Sequence, residues 1–266
     1  INISEKLMSS NFSFLDFYCF NEFCDKNSSI IEKWSTVDPV QSGVDLSYSV
    51  DSSAVFSSNI EGNNIDLNSY MNQKMVKSKF KKKKELAEID NLVNAYNFAQ
   101  ENQLTEENFL EVHRILAKSF LIKSKLGIYR DDRMGVFSTS GLVYIAVEPE
   151  KLPDAMKHFW KEFDEISSRN LSHTEIFYFA SFFHLRLAQL HPFFDGNGRI
   201  ARLVEKWFLA MKSGEKAWGI PSERFYKENR AEYYEKINLG VNFYELDFNK
   251  AVDFLNLLPQ SLTAED

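Results

Sequence analysis

Cysteine, glycine and proline are all scarce in this chain, and each shortage removes a class of fold. Only Cys19 and Cys24 are present. Two thiols five residues apart make neither a disulfide framework nor a zinc pattern, and they point to a reducing, cytoplasmic setting. Ten Gly and six Pro in 266 residues exclude a collagenous or low-complexity chain. Long apolar runs are missing too. The strongest early one, Phe12 to Phe20, is broken by Asp16 and falls well short of the ~18 residues of a membrane span. It lacks the basic flank and small-residue cleavage site of a signal peptide. The chain opens at Ile1 rather than Met, which fits a processed or trimmed chain. Positive charge is not in excess either. A formal net charge of −7 argues against nucleic acid or anionic membrane as partner. One stretch runs the other way: Lys74, Lys77, Lys79 and Lys81 to Lys84 form a basic run. It suits an acidic partner or, more simply, a solvated linker or helix face.

What is there describes a soluble globular protein. Hydrophobic residues make up 44% and charged residues 26%, and the length fits one large domain, or a core with a small appendage. With 24 Phe, the core should be built on phenylalanine. The periodicity is mostly helical. Glu85 to Gln100, Thr105 to Ser119 and Leu152 to Ser167 each carry an apolar face. Leu171 to Leu190 opens on a Ser172/Glu175 capping box, and its interior is apolar nearly all round. It should therefore be the central buried helix, stopped by Pro192. A second helix is expected from Gly198 to Lys212 with Gly214 as its stop, and others over Ser222 to Asn238 and Leu246 to Leu258. Two stretches differ. Asp131 to Val147 reads as a β-hairpin turning at Ser138 to Gly141. Val44, Leu46, Tyr48 and Val50 alternate like a strand, before Ser52 to Glu61 turns helical and ends at Gly62.

Between the two central helices lies His191-Pro-Phe-Phe-Asp-Gly-Asn-Gly-Arg-Ile-Ala-Arg202. Gly196, Asn197 and Gly198 form a turn directly before a helix, where backbone N–H groups and the helix dipole favour an anion. Arg199 and Arg202, three apart on one side of that helix, can clamp phosphates. Asp195 offers a hard carboxylate suited to Mg²⁺ shared with phosphate oxygens. His191 can serve as general base near neutral pH. Together these residues fit attack by a hydroxyl on a phosphate of a magnesium nucleotide. Blander explanations fall short. An ordinary turn needs neither the His nor both Arg. The pattern Gly196-x-Gly198-x-x-Ala201 follows a helix, whereas a dinucleotide fingerprint must follow a strand. An EF-hand loop from Asp195 would put Arg199 at a ligand position.

At these residues the sequence resembles the Fic family, whose signature His-x-Phe-x-(Asp/Glu)-Gly-Asn-Gly-Arg-x-x-Arg is matched at every specified position from His191 to Arg202. The resemblance implies an all-α fold, a Fic-type helical core with a small β-hairpin flap. It also implies transfer of AMP from ATP to Ser, Thr or Tyr hydroxyls of a protein. By it, His191 deprotonates the hydroxyl, Asp195 holds Mg²⁺, and Gly196, Asn197, Gly198 and Arg199 bind the α- and β-phosphates. Arg202 steadies the γ-phosphate, and the hairpin aligns the target segment by strand-like pairing. Ser57-Ser-Asn-Ile-Glu61-Gly62 resembles the inhibitory motif found upstream of the core in one large class of the family. There Glu61 would occupy Arg202, with Ser57 supporting it, and the same Glu can position water for removal of AMP.

In similar proteins a Tyr-Tyr pair and a later Asn border the adenine. Tyr233, Tyr234 and Asn242 match them, with Asn238 as a rival to Asn242 and core packing as the alternative for the tyrosines. The usual Asn-x-Gly-Asp is replaced by Asn242-Phe-Tyr-Glu. His184 reads as a buried structural residue, and His113, His158 and His173 show no partners that would make them ligands. The resemblance divides the chain into an N-terminal helical region over 1–104, with the inhibitory helix near 51–61, and a core over 105–212, with the flap near 131–147. C-terminal helices over 213–266 complete the nucleotide pocket. ATP and Mg²⁺ are the implied cofactors, and a protein docked on the flap is the implied partner. Self-modification and an oligomer are both compatible with this reading. A Doc-type kinase or a phosphocholine or uridylyl transferase of the same fold stays open, although Gly198 stands where Doc-type proteins carry Lys. A non-catalytic nucleotide-sensing module is the reading from another class.

Overall fold

The computed structural model describes residues 19–36, 45–76, 83–138 and 141–263. Most of the Phe12 to Phe20 run lies outside the described residues, as do Val44, Lys77, Lys79, Lys81, Lys82 and the tip of the hairpin turn at 139–140. Ser172 starts the central helix α7 (His173–Leu190). Its hydroxyl accepts from Glu175 N at 3.2 Å, and the Glu175 carboxylate accepts from Ser172 N at 2.8 Å, closing the expected capping box. The helix is buried on nearly every face and packs along α8 (Asn197–Ser213), which ends at Gly214 as its spacing predicts. Phenylalanine does fill the core. Phe183 meets Phe163 of α6 (Leu152–Ser167) and Phe208 of α8, each at 4.9 Å between ring centroids.

Around this pair stand α1 (Phe20–Ser35), α2 (Leu46–Ile60), α3 (Leu67–Val76), α4 (Lys83–Glu101) and α5 (Glu106–Leu116). Nothing in the sequence pattern announces α1. It docks on α7 through edge-on contacts of Phe20 and Phe23 with Tyr178, at 5.1 and 5.5 Å. The strand-like alternation before Ser52 is overturned, because α2 already begins at Leu46. Asp45 caps it by accepting from the N–H groups of Ser47 and Tyr48, and Leu46, Val50 and Ala54 recur at helical spacing. Tyr48 is left 48% exposed while Val50 and Ala54 are buried.

The hairpin is present as β1 (Gly135–Ser138) antiparallel to β2 (Gly141–Ile145), with a register irregularity after Val136. Tyr144 anchors it to the core by donating to the Gln189 carbonyl at 2.8 Å. The far edge of β2 pairs with the chain near Asn242: Ile145 N donates to Val241 O and Phe243 N to Ile145 O, both at 3.0 Å. The long helix expected over Ser222 to Asn238 is broken at Asn229 into α9 (Ser222–Glu228) and α10 (Arg230–Ile237). The last expected helix likewise divides, into a short 3₁₀ turn, α11 (Ala251–Leu255) and α12 (Leu257–Gln260). No helix among the described residues is long and apolar enough to cross a membrane.

Candidate active site

His191 ends α7 in the left-handed region, at φ 49° and ψ 59°. Its N–H donates to Leu187 O, so α7 closes there without the glycine such a position favours. The ring Nδ1 lies 3.0 Å from the Ala188 carbonyl. A carbonyl can only accept, so Nδ1 carries the proton and Nε2 presents a free lone pair. Burial lowers the imidazole's pKa, the Ala188 carbonyl and nearby carboxylates raising it in opposition. A neutral ring at pH 7 is the form a general base requires.

The loop after it is held by side chains whose part no motif signals. Asn197 is buried and folds back: its Oδ1 accepts from Phe193 N and its Nδ2 donates to Phe193 O, both at 2.8 Å. Its side chain therefore shapes the loop, leaving only its backbone for an anion. His113, on α5, stacks on Phe193 with centroids 3.6 Å apart. Gly127 N donates to its Nδ1, so Nε2–H donates to the Asp195 carbonyl at 3.0 Å. Burial drives the His113 pKa down to about 4. It is a brace for the loop, not a ligand.

Gly196 takes φ +84° at the N-cap of α8 and donates its N–H to Asp195 Oδ1 at 2.6 Å. The Asp195 side chain is 56% exposed. An exposed hard oxygen beside a glycine turn at a helix N-terminus fits Mg²⁺, which commonly takes one or two carboxylates and completes its shell with phosphate oxygens and water. No group of three or more acidic, His or Cys side chains with metal-holding geometry exists among the described residues. A metal here would thus depend on ligands from the nucleotide.

Both motif arginines are engaged from the N-terminal side. Arg202 is 1% exposed. Its Nε donates to Ser57 Oγ at 2.9 Å and its Nη2 to Ser57 O at 3.0 Å and Glu61 Oε1 at 2.7 Å. The two residues expected to form the inhibitory contact are thus on the arginine expected to receive a γ-phosphate. Glu61 caps the C-terminus of α2, the negative end of a helix dipole and an unfavourable place for a carboxylate without a cation. Desolvation pushes its pKa up, but Arg202 and Arg199 beside it outweigh that and hold it below the usual carboxylate range. Glu61 also lies against the first turn of α8, where a Cβ added at Gly198 would collide with its Oε1. Arg199 pairs through Nε with Glu88 of α4 at 3.1 Å and stacks over the Phe120 ring at 4.3 Å. Glu88 in turn accepts from Ser58 Oγ at 2.6 Å.

The adenine-pocket expectations are rearranged. Tyr233 is 2% exposed. It accepts from Arg202 Nη1 at 3.2 Å and bonds His184 Nε2 at 2.9 Å, so it takes the core alternative. Tyr234 is 41% exposed, under the Arg230 guanidinium, and donates to Ile60 O at 3.3 Å. Asn242 is spent on a local turn, accepting from Tyr244 N and donating to Glu245. Asn238 caps Gly240 N. His184 is fully buried, as expected, between Tyr233 and Glu205. His158 faces Glu162 at 3.5 Å on the surface of α6.

A helical core with a two-stranded hairpin and a glycine turn between two central helices is the fold shared with solved Fic-family structures. Residues 103–209 match the model of the Fic/DOC family. The crystal structure of a Fic family protein from Desulfovibrio desulfuricans G20 superposes with a TM-score of 0.75 at 21% identity, over 95% of this chain and 74% of that one. The protein adenylyltransferase Fic of Nematostella vectensis is 29% identical over 147 residues, 55% of this chain and 31% of that protein. A uridine 5'-monophosphate transferase of Xanthomonas campestris pv. campestris is 46% identical over 66 residues, 23% of this chain and 12% of that protein. The matched stretches thus span less than a third of either relative.

Proposed function

We propose that the protein is a protein adenylyltransferase held in check by its own α2. The observation that carries this is the pairing of Glu61 with Arg202, in the second turn of the helix that follows the loop whose His191 presents a free Nε2. In the reaction, Nε2 takes the proton of a target hydroxyl while its oxygen bonds to the α-phosphorus of ATP. The bond from that phosphorus to the bridging oxygen breaks, and pyrophosphate leaves. The N–H groups of Gly196, Asn197 and Gly198, with Arg199, hold the phosphates; Arg202 holds the γ-phosphate once Glu61 releases it. Magnesium bound at Asp195 would neutralise phosphate charge. The target is a protein segment docked on the hairpin, where Phe137 is 72% and Leu142 52% exposed. This reading assigns the brake to residues 1–104, the catalytic core to 105–212 and completion of the nucleotide pocket to 213–266. It also allows Glu61 to assist removal of AMP, and sets the reaction in the cytoplasm, where both cysteines stay free.

Transfer of UMP is the second reading, favoured by the similarity to the Xanthomonas relative. Incubation of Glu61→Gly protein with α-labelled ATP, γ-labelled ATP and α-labelled UTP decides among them. Label from α-ATP alone supports adenylylation, label from α-UTP alone supports uridylylation, and label from γ-ATP alone means a kinase. No label under any condition favours a nucleotide-sensing module.

A further inference from the structure

Arg130 lies in the loop before β1 and is 2% exposed. Its Nε donates to His191 O at 2.7 Å, its Nη1 to Asp132 O at 2.8 Å, and its Nη2 to Val147 O at 2.6 Å and Leu190 O at 3.3 Å. Its own N–H donates to Pro192 O at 2.9 Å. Every side-chain bond goes to a main-chain carbonyl, and none to a carboxylate among the described residues. Its charge is met instead by carbonyl dipoles, two of them at the negative end of α7. Asp132 precedes β1 and Val147 follows β2, so one planar fork spans His191 and both roots of the hairpin. Lysine has the charge but not that geometry. The fork also accounts for how His191 keeps a backbone conformation that costs a non-glycine residue of order 1–3 kcal/mol.

We propose that Arg130 is a positioning residue for the transfer: by clamping the His191 carbonyl to both roots of the hairpin, it fixes where a hydroxyl presented there meets the base. This rests on the transferase reading given above. A second consequence is electrostatic. The charged groups facing His191 are Arg130, Glu61 from the end of α2 and Asp195 from the motif loop, with the Ala188 carbonyl of α7. Burial lowers the imidazole's pKa most and Arg130 adds to that, against the carbonyl and the two carboxylates. Removing the Arg130 charge therefore moves the His191 titration to higher pH, and with it the acid limb of a rate that needs neutral imidazole.

The test uses the full chain carrying Glu61→Gly, alone and with Arg130→Lys or Arg130→Met, with folding followed by circular dichroism. Displacement of a reacting group by about 1 Å can cost 10²-fold. Both variants are accordingly expected to lose about 10²-fold in kcat with KM for ATP within about threefold. Imidazole NMR of ¹³C-labelled histidine should show the His191 midpoint unmoved by Arg130→Lys and raised by Arg130→Met. Amide exchange at Ile145 and Ala146, in the hairpin root, should quicken in both. If Arg130→Met does not fold, Arg130→Gln supplies the uncharged arm. A folded Arg130→Lys with kcat within about threefold of its parent, or unaltered exchange at the hairpin root, would overturn the proposal. A parent Glu61→Gly that transfers nothing refutes the transferase reading instead. In that event the titration and exchange arms still decide whether Arg130 clamps His191.

Discussion

Replacing Glu61 by Gly takes one carboxylate from Arg202 and leaves the motif loop intact. Arg202 then keeps Ser57 Oγ, Ser57 O and Tyr233, so it stays oriented with one Nη2 proton unclaimed. The Arg202 side chain is 1% exposed and that of Glu61 27%. Breaking a fully buried pair costs about 3–5 kcal/mol and an exposed one about 0–1. A pair buried on one side falls between, at roughly 1–3 kcal/mol, which corresponds to about 5- to 150-fold in the availability of Arg202 for a phosphate. Initial rates of self-modification with α-labelled ATP should rise by that factor. Ser57→Ala removes the Nε acceptor but keeps the backbone bond, so its gain should be smaller. Arg202→Ala should show none, alone or with Glu61→Gly, since it removes brake and phosphate clamp together. A folded Glu61→Gly protein no faster than wild type would mean that the pair restrains nothing, and Glu61 would be only a helix-end carboxylate.

Three further outcomes are expected. His191→Ala in the Glu61→Gly background should lose about 10²–10⁴-fold in transfer, the usual worth of general-base assistance, with its melting curve retained; near-normal turnover would remove His191 from the mechanism. Asp195→Ala should weaken ATP binding measured calorimetrically with Mg²⁺ more than without it, and equal losses would locate the metal elsewhere. His113, held neutral with a pKa of about 4 against about 6.5 unfolded, should make the fold sensitive to acid. Between those values the unfolded chain binds the extra proton, so stability falls as pH falls, by up to about 3 kcal/mol for one group. Urea unfolding at pH 7 and pH 4 should show a loss larger in wild type than in His113→Gln by up to that amount; equal losses would mean that His113 is not the titrating brace.

The helices with regular apolar spacing and strong caps are legible in the residues alone: α6 and α7 begin where Pro153 and Ser172 put them. So is the motif loop, because its chemistry is local, with base, carboxylate and arginines within twelve residues. Glu61 is legible only through its own short motif, since nothing in spacing ties it to an arginine 141 residues away. What escapes is braced by partners distant in sequence. Arg130 lies 61 residues before His191 and carries no pattern of its own. His113 reaches Asp195 across 82 residues, and Glu88 pairs with Arg199 from α4. Helix α1 escapes for another reason: its N-cap, Cys19, sits in a left-handed conformation with no side-chain cap bond, so no start signal stands in the sequence.

Tyr233 illustrates how a residue matched by resemblance can be tied into the core by its hydrogen bonds. Arg202 has only donors, so the Tyr233 oxygen accepts from it. The Glu205 carboxylate has only acceptors, so His184 Nδ1 donates to it. The phenol proton then has one place to go, His184 Nε2, and the chain Arg202 to Tyr233 to His184 to Glu205 is satisfied in a single direction. Tyr226 completes Glu205 by donating to its other oxygen at 2.9 Å. An unsatisfied member of such a buried chain would cost about 1–3 kcal/mol. Tyr233 thereby holds Arg202 in place. The arginine that pairs with Glu61 is thus held on its other edges by Ser57 and Tyr233. Removing the Glu61 carboxylate would free one edge of the guanidinium without freeing its orientation, which is what the proposed phosphate clamp needs.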